Sequence, residues 1–555
     1  MAARAPLRRI AFLTDVEGHI GHLRRYVRRS KVLKPCARAP GGVDFRDPSG
    51  ADGFVYGGDA CDHGDGDLAV LDALLGLKER YPDRVWFLIG NRDGNKMRFT
   101  SELDAAELAR PAADARLGGP YWLQSAHWRE RLSLNAYTER MAAAHRRSAG
   151  RADEGGGGAL DFVPRSMRPS ALAASLTHRC KWMLANTMGS PNAFAHRQAE
   201  LSSRGFAKND EEATARSFLH ESLAPDGRVR RYLEHAQLAL VLHDALFVHG
   251  AVTADALGYV PPPATEHAGD ADAHAGDAAA SPSERWARWE AEAAGKSAAA
   301  RPVEAWADAL NAWARDEVAA WTRDPTYPDD DDGNDGDGND GDSYRGPRRA
   351  GAGLMDYVLP GGAGGRGVVY STWLGAQGRP AAIPRAVSTA LGASGINFVL
   401  SGHQPHGDAP LTIQAAAPGG GAAAGLTVVT GDTSYSDAST PDKRGTAVGE
   451  VLLTFPPAAD DGARSRSACR LHGVLSADAE EYDCDVAATP SCPVGRSTTD
   501  GRHVKLRLSD GNFLLTAPRK QEGGHPSDQV STREPPARVM ELLWGEQSVS
   551  STSAC

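Results

Sequence analysis

The sequence lacks the features that mark secreted and membrane-spanning proteins. Its 555 residues contain seven scattered cysteines and no CxxC pair, which suits reduced thiols better than a disulfide framework. No apolar run approaches the roughly 18 residues of a membrane span. The apolar run near the N-terminus is also too short for the core of a signal peptide. We therefore expect a cytoplasmic protein without a membrane partner.

Basic residues are also too few for a protein that holds nucleic acid on a basic face. The formal net charge is −10, and eight aspartates without any basic residue lie between Asp329 and Asp342. Binding to a phosphate backbone requires the opposite balance of charge, so we expect no nucleic-acid-binding surface. The acidic run has too little apolar content to order itself and is predicted to be a solvated linker.

Hydrophobic residues make up 41% of the chain, which is enough for a large core. Short apolar runs at 10–13, 54–56 and 85–89 alternate with amphipathic helical patterns. Strand, helix, strand, helix and strand in this order predict a βαβαβ unit whose parallel strands are buried on both faces.

The rest of the chain divides into further strands and additions. Three more buried strands are predicted at 245–248, 397–400 and 426–429. A helical insertion is predicted at about 100–235, and a low-complexity, partly helical insertion at about 261–350. From about 465 onward the pattern alternates as in a small β-rich module.

Polar side chains suited to binding metal or phosphate follow each of the six apolar runs. They are Asp15, Glu17, Asp59, Asp62, His63, Asn91, Arg92, Asp93, His249, His403, His406 and Asp432. Sites in open α/β sheets form beyond the carboxyl ends of the strands, so we expect these side chains to converge on one crevice. Mixed oxygen and nitrogen donors without a thiolate favour Mn, Fe or Zn over a Cys-based structural zinc site.

The order of these motifs resembles the calcineurin-like metallophosphoesterase superfamily, in an arrangement like that of serine/threonine phosphatases. The family pattern is DxHG, GDxxDRG, GNH(D/E), a strand ending in HG, and GH; here the motifs read DVEG, GDACDHG, GNRD, VHG and SGHQPH. The resemblance implies an α/β fold, a four-layer α/β/β/α sandwich with helical insertions. That metallophosphoesterase domain would span 1–464, and a small β-rich C-terminal extension would span 465–555.

The resemblance also implies a chemistry, the hydrolysis of a phosphate ester at two divalent metal ions, with manganese favoured. Asp59 would bridge the two ions, and a metal-bridging hydroxide would attack the ester in line. His406 falls one residue later than in the GHxH form of the motif, so it is either a metal ligand or a substrate contact. Asp15 would bind the first metal ion, and Asn91, His249 and His403 would complete the second; Glu17 is a further implied metal ligand.

Three residues depart from the family pattern. Glu17 stands where the family has a metal-binding His, and Arg92 stands where it has the His that protonates the leaving group. His63 stands where the family has a phosphate-binding Arg. Arginine cannot act as a general acid near neutrality but can clamp phosphate. We therefore expect Arg92 to bind phosphate and His63 to donate the proton, with Asp93 completing the catalytic set.

Two other functions stay open at this point. The departures at Glu17 and Arg92 are those expected of a catalytically weak or inactive protein that serves as a binding scaffold. A phosphodiesterase acting on a nucleotide is the third reading. Whether the phosphorylated substrate is a protein or a small molecule does not follow from the sequence.

Overall fold

The computed structural model describes most of the chain, with gaps between its helices and strands. The described residues are 6–110, 117–120, 122–123, 125–148, 174–262, 280–297, 299–326, 349–415, 425–434, 444–457, 466–476, 479–486, 492–518 and 529–545. The predicted acidic linker at 329–342 lies outside them.

The described strands are numbered in chain order. They are β1 (Arg9–Leu13), β2 (Leu33–Pro35), β3 (Val43–Phe45), β4 (Asp52–Tyr56), β5 (Val85–Leu88), β6 (Ala236–Gln237), β7 (Ala239–Leu242), β8 (Ala245–Val248), β9 (Phe398–Ser401), β10 (Leu411–Gln414), β11 (Thr427–Thr430), β12 (Val448–Thr454), β13 (Ala468–Val474), β14 (Glu481–Asp485), β15 (His503–Arg507), β16 (Phe513–Pro518) and β17 (Gln529–Glu534). The six strands predicted as buried are confirmed to within one or two residues at each end.

The α-helices are numbered in the same way. They are α1 (Ile20–Arg29), α2 (Asp67–Arg80), α3 (Asn91–Asn95), α4 (Arg98–Glu102), α5 (Ala105–Leu108), α6 (Ala126–Leu132), α7 (Leu134–Ser148), α8 (Leu176–Trp182), α9 (Ala193–Ser203), α10 (Glu211–Leu223), α11 (Arg228–His235), α12 (Pro282–Lys296), α13 (Pro302–Arg323), α14 (Ala352–Val358), α15 (Arg385–Ala393) and α16 (Pro536–Trp544). A π-helical turn, Met183–Thr187, extends α8. Helices α4–α11 lie within the range of the insertion predicted at about 100–235, and α12 and α13 lie within that of the insertion predicted at about 261–350.

Two mixed sheets form the centre of the molecule. The first has seven strands in the order β14-β13-β12-β1-β4-β5-β6, and β1, β4, β5 and β6 run parallel. The second has five strands in the order β10-β11-β9-β8-β7, and its inner strands β11, β9 and β8 run parallel. The parallel strands of both sheets therefore direct their carboxyl ends toward the loops that carry the predicted motifs.

Successive residues of β1 belong to different hydrophobic clusters. Phe12 packs with residues of the second sheet, and its ring centroid lies 5.8 Å from that of Phe247 on β8. Leu13 instead belongs to a cluster that includes residues of α1 and α2. Alternate side chains of a strand point to opposite faces, which explains why these strands are apolar without interruption.

The C-terminal region divides between two sheets. Strands β13 and β14 extend the first sheet through antiparallel pairing of β13 with β12. Strands β15, β16 and β17 form a separate three-stranded sheet, which is followed by α16. The predicted boundary at residue 464 thus falls between β12 and β13, two hydrogen-bonded neighbours.

Two further expectations concern thiols and membranes. The six cysteines that lie within the described residues are all free. Of the helices in the described ranges, none is both long enough and apolar enough to cross a membrane.

Candidate metal centre

The loops after six strands meet at one end of the two sheets. The residues in question are Asp15 and Glu17 after β1, Asp59 after β4, Asn91 after β5, His249 after β8, His403 after β9 and Asp432 after β11. A cavity of about 530 Å³ lies among them and is lined by five of the seven: Glu17, Asp59, Asn91, His403 and Asp432. These seven of the twelve residues expected to converge therefore follow strand ends that meet at one place.

Backbone hydrogen bonds join the loop after β1 to the loop after β4. The N–H of Asp15 donates to the carbonyl of Gly58 at 3.0 Å, and the N–H of Glu17 donates to that of Asp59 at 2.9 Å. Close approach also explains the glycine of the GN motif, because a Cβ atom on Gly90 would overlap the carboxylate of Asp59. The spacing of the loops thus depends on the motif residues themselves.

Four of the converging residues adopt left-handed backbone conformations. The φ angles are 54° for Asp15, 51° for Glu17, 56° for Asp59 and 71° for His403. Residues other than glycine seldom occupy this region. Such conformations cluster at functional sites, where the surrounding structure holds them in place.

Asp59, His249 and His403 form a group that fits a metal ion. In the part of the chain that the structure describes, one ligand atom from each of these residues lies within 4.8 Å of the others. The Oδ1 atom of Asn91 lies 2.9 Å from Nδ1 of His403 and 3.2 Å from Nε2 of His249. Two imidazoles, an amide oxygen and a carboxylate around one point are donors that Zn, Mn or Fe accept.

The tautomer of His249 is set by a backbone contact. Its Nδ1 atom lies 2.8 Å from the carbonyl oxygen of Gly57, which can only accept, so Nδ1 carries the proton. In the neutral form of the ring the lone pair is on Nε2, which lies 3.2 Å from Oδ1 of Asn91 and 3.6 Å from Oδ2 of Asp59 and would be available to a metal ion bound between these groups. A carbonyl that orients the distal nitrogen of a metal-binding His is the usual arrangement.

The charges of Asp59 and His249 depend on each other. Burial lowers the pKa of His249, but the charge of Asp59 and its hydrogen bond outweigh burial and raise that pKa to about 10. Burial raises the pKa of Asp59, but His249 outweighs it and holds the pKa well below its ordinary value. Burial and the charge of His249 lower the pKa of His403 to about 3. In the metal-free protein His249 is thus a cation paired with Asp59, and a metal ion that binds at Nε2 would displace its proton.

Asp93 lies behind the centre and ties two loops together. Its Oδ2 atom accepts the N–H of Asp59 at 2.8 Å and the N–H of Gly90 at 2.9 Å, and its Oδ1 atom accepts the N–H of Ala60 at 2.9 Å. Burial, followed by the charge of Asp59, raises the pKa of Asp93 to about 6. These contacts orient the loops after β4 and β5, and the catalytic role predicted for Asp93 stays a prediction.

Asp15 and Glu17 make contacts with polar and basic groups. The carboxylate of Asp15 accepts from the hydroxyl of Thr14 and from the N–H of His403, 3.1 Å from Oδ2. Glu17 Oε1 lies 3.0 Å from Nε of Arg92, and Oε2 lies 3.5 Å from a terminal nitrogen of Arg444. Burial raises the pKa of Glu17, but the charges of His63, Arg92 and Arg444 outweigh burial and lower it.

Arg92 lines the cavity and brings a guanidinium group to it. Its backbone N–H donates to Oδ1 of Asp59 at 2.9 Å, and its Nε atom lies 3.6 Å from Oδ2 of the same residue. One terminal nitrogen lies 3.5 Å from Asp62 and donates to the hydroxyl of Ser190 at 3.3 Å. The guanidinium thus bridges the strand-end loops and the helical insertion.

His63 and Asp62 lie beside the cluster. Nε2 of His63 is 3.8 Å from Oε1 of Glu17, so His63 and Arg92 approach the same carboxylate. Asp62 pairs with the buried Nζ of Lys96 at 2.6 Å. The proton-donating role of His63 stays a prediction.

His406 is placed away from the group of Asp59, His249 and His403. It is buried against the C-terminal sheet, where its ring centroid lies 6.4 Å from that of His503 on β15. Its carbonyl accepts from the Nζ atom of Lys505 on the same strand. The described contacts therefore connect His406 with the C-terminal region, whereas the sequence predicted a metal ligand or a substrate contact.

Asp432 lines the cavity, as its position after β11 suggested. Its Oδ1 atom accepts the backbone N–H and the hydroxyl of Ser434, both at 2.8 Å. Burial and the charge of Glu17 raise the pKa of Asp432 to about 7.

Three residues of the site, Lys96, Arg444 and Tyr370, were not predicted from the sequence. Lys96 had a usable signal, since it follows Arg92 by four residues, the spacing that puts two side chains on one helix face. Arg444 and Tyr370 had no such signal in the sequence, because each lies in an irregular segment far along the chain. The ring of Tyr370 packs 4.6 Å from that of His403, and 42% of the residue is exposed at the cavity.

Comparisons with known proteins give only slight likenesses. No family model and no curated protein matches the sequence. One similar structure is the cold-active protein-tyrosine phosphatase of a psychrophile, Shewanella sp., at 12% identity over 86% of this chain and 81% of that chain, with a TM-score of 0.33. Another is a protein serine/threonine phosphatase from Saccharomyces cerevisiae with similarity to human phosphatase PP5, at 10% identity over 84% and 80%, with a TM-score of 0.30. Likenesses at this level do not assign the chain to a family.

Proposed function

We propose that this protein is a metal-dependent phosphoesterase that hydrolyses a phosphate ester, most simply a phosphomonoester. The observation that carries the proposal is the convergence of Asp59, Asn91, His249 and His403 from four strand ends of two sheets. These residues would hold a divalent cation, with manganese favoured over iron and zinc. The fold and motif order of the calcineurin-like superfamily are part of the same proposal.

A cation held there would supply Lewis acidity toward a phosphoryl oxygen and toward water. The chain's own residues complete the chemistry. Asp93 and the carbonyl of Gly57 hold Asp59 and His249 in place. Arg92 brings a permanent positive charge to the cavity, next to Asp59, where it would attract the phosphate group of a substrate.

The substrate would enter the cavity of about 530 Å³ beside Arg92. Its walls beyond the cluster come from the segment that carries Tyr370, Thr372 and Gln377 and from Gln404. A cavity of this size accepts a small phosphorylated molecule or a phosphorylated side chain, so both substrate classes belong in the test.

We also propose a cytoplasmic location, which the free thiols favour.

The rival function is a binding scaffold with weak or no catalysis. The observation in its favour is that Glu17, at a position where the family has a metal-binding His, contacts two arginines. Bound metal without turnover of any ester would favour this reading.

The test is a screen of phosphomonoesters and phosphodiesters with protein stripped of metal and reconstituted with Mn²⁺. We expect turnover of monoesters that is lost on chelation and returns with the metal. Asp59→Asn should abolish it, whereas Asp483→Asn, at an exposed carboxylate on β14, should leave it unchanged. Full turnover by Asp59→Asn contradicts the proposal, and faster turnover of diesters than of monoesters indicates a phosphodiesterase.

A further inference from the structure

The two sides of Asp59 differ in the groups that face its carboxylate. On one side lie Asn91, His249 and His403, whose oxygen and nitrogen atoms can all act as metal ligands. On the other side lie Asp15, which the resemblance assigns to a first metal ion, and Glu17, a further metal ligand that the resemblance implies.

Arginine side chains already contact the carboxylate of Glu17. Its two oxygens face different guanidinium groups, Arg92 at 3.0 Å and Arg444 at 3.5 Å. The side chain of Arg444 is only 1% exposed, so it is a built part of the interior rather than a surface contact. It also donates to the backbone carbonyl of Asp15, which fixes it against this side of the centre.

The carboxylate of Asp15 is engaged as well. It accepts from the hydroxyl of Thr14 and from the backbone N–H of His403. Both donors belong to the strand-end loops themselves, so these hydrogen bonds help to set the conformation of the site. The carboxylate of Asp15 is thus already a hydrogen-bond acceptor within the protein.

A guanidinium group cannot coordinate ligands as a metal ion does. It can, however, supply the positive charge that a metal ion would bring to the same place. It stays protonated at every ordinary pH, and it makes strong charge-assisted hydrogen bonds with carboxylates. A second divalent cation beside Glu17 would meet two positive charges in a buried setting, where like charges repel strongly. The donors on this side therefore do not fit a second metal ion.

We propose that the centre holds a single divalent cation, bound by Asp59, Asn91, His249 and His403. Arg92 and Arg444 supply the positive charge that the first ion would otherwise supply. The inference rests on the proposed function for the identity of the centre. It departs from the expectation of two ions that the resemblance implied. Glu17 becomes an anchor for the two arginines, and Arg92 is held where it can meet a phosphate group.

The test measures metal content and does not depend on turnover. The full chain is stripped with a chelator, loaded with Mn²⁺ and freed of excess ion, and its manganese content is measured by inductively coupled plasma mass spectrometry. Electron paramagnetic resonance of the same sample distinguishes an isolated manganese ion from a spin-coupled pair. We expect one ion per chain and the spectrum of an isolated ion.

Two variants locate the ion. Glu17→Gln should keep one ion per chain, whereas His403→Ala should lose it, and circular dichroism of both checks that they fold. Two ions in the unaltered chain, a spin-coupled spectrum, or the loss of one ion in Glu17→Gln would each overturn the inference. The spectrum of the unaltered chain decides the question even if a variant fails to fold.

The experiments distinguish a failure of the single-ion inference from a failure of the proposed enzyme function. One bound ion without turnover of any ester supports the inference and removes the enzyme proposal. Two bound ions with turnover do the reverse. A chain that binds no divalent ion contradicts both.

Discussion

The carboxylate of Asp93 accepts the backbone N–H of Asp59 at 2.8 Å and so joins the loop after β5 to the loop after β4. Two more N–H groups, from Ala60 and Gly90, donate to the same side chain. A buried carboxylate that receives three backbone donors holds Asp59 in its left-handed conformation.

We expect Asp93→Asn to weaken the centre without removing a ligand. The amide would turn an NH₂ group toward at least one backbone donor, which costs about 1–3 kcal/mol of stability. Metal affinity should fall roughly 10–100-fold, as for other groups that orient ligands. Urea unfolding of the metal-free protein and a metal titration measure the two effects. Unchanged values for both would show that the contacts of Asp93 are dispensable.

His63→Ala tests the proton donor. If His63 protonates the leaving group, turnover of alkyl phosphates should fall about 100-fold or more. Aryl phosphates with acidic phenols need little protonation and should be much less affected. His127→Ala, at an exposed residue of α6, is the matched control. Equal loss on both substrate types, or no loss, would remove His63 from this role.

Arg92→Ala tests the phosphate contact. Loss of a charged hydrogen-bond donor should weaken competitive inhibition by inorganic phosphate roughly tenfold or more. Arg92→Lys should recover part of this loss, because it keeps the charge without the planar fork. Arg216→Ala, at an exposed pair with Glu212 on α10, serves as the control. Inhibition that stays the same in Arg92→Ala would place phosphate elsewhere.

His178 should make the stability of the protein depend on pH. Burial, with the charges of Lys181 and Arg179, lowers its pKa from 6.5 to about 4, and its Nε2 atom lies 2.9 Å from the hydroxyl of Thr138. Between these pH values the unfolded chain binds a proton that the folded chain does not, so this contribution to stability is complete above pH 6.5 and is lost as the pH falls toward 4.

The loss should reach at most about 3 kcal/mol. Chemical unfolding at several pH values, compared between the protein and His178→Gln, isolates the contribution of His178, because the other titrating groups are common to both. A variant whose stability falls just as steeply toward low pH would contradict the assignment.

The parts of the fold that the sequence predicted are those with a local pattern. Strands β1, β4 and β5 are apolar on both faces, and each is followed at once by the motif residue that reaches the centre. Parallel strands bring such ends together wherever the intervening helices lie. Asp59, Asn91, His249 and His403 could therefore be assigned to one place from spacing and residue type.

The residues that were not predicted, or were predicted wrongly, owe their positions to contacts between segments that lie far apart in the sequence. Arg444 reaches the carbonyl of Asp15 because β12 pairs with β1, a contact that no local pattern in either segment specifies. His406 follows His403 by three residues, but the left-handed turn at His403 carries the loop toward β15. The pairing of β13 with β12 likewise joins segments on either side of the expected boundary.

Lys505 connects the C-terminal strands with the loop that carries the metal-site residue His403. Its buried Nζ atom donates to the carbonyls of His406 and Ala409, in the loop that begins with His403. A fragment that stops at residue 464 would leave β12 with an unpaired edge and this loop without its support. Shortened versions of the protein should therefore keep the chain through β17 if they are to bind metal as the whole protein does.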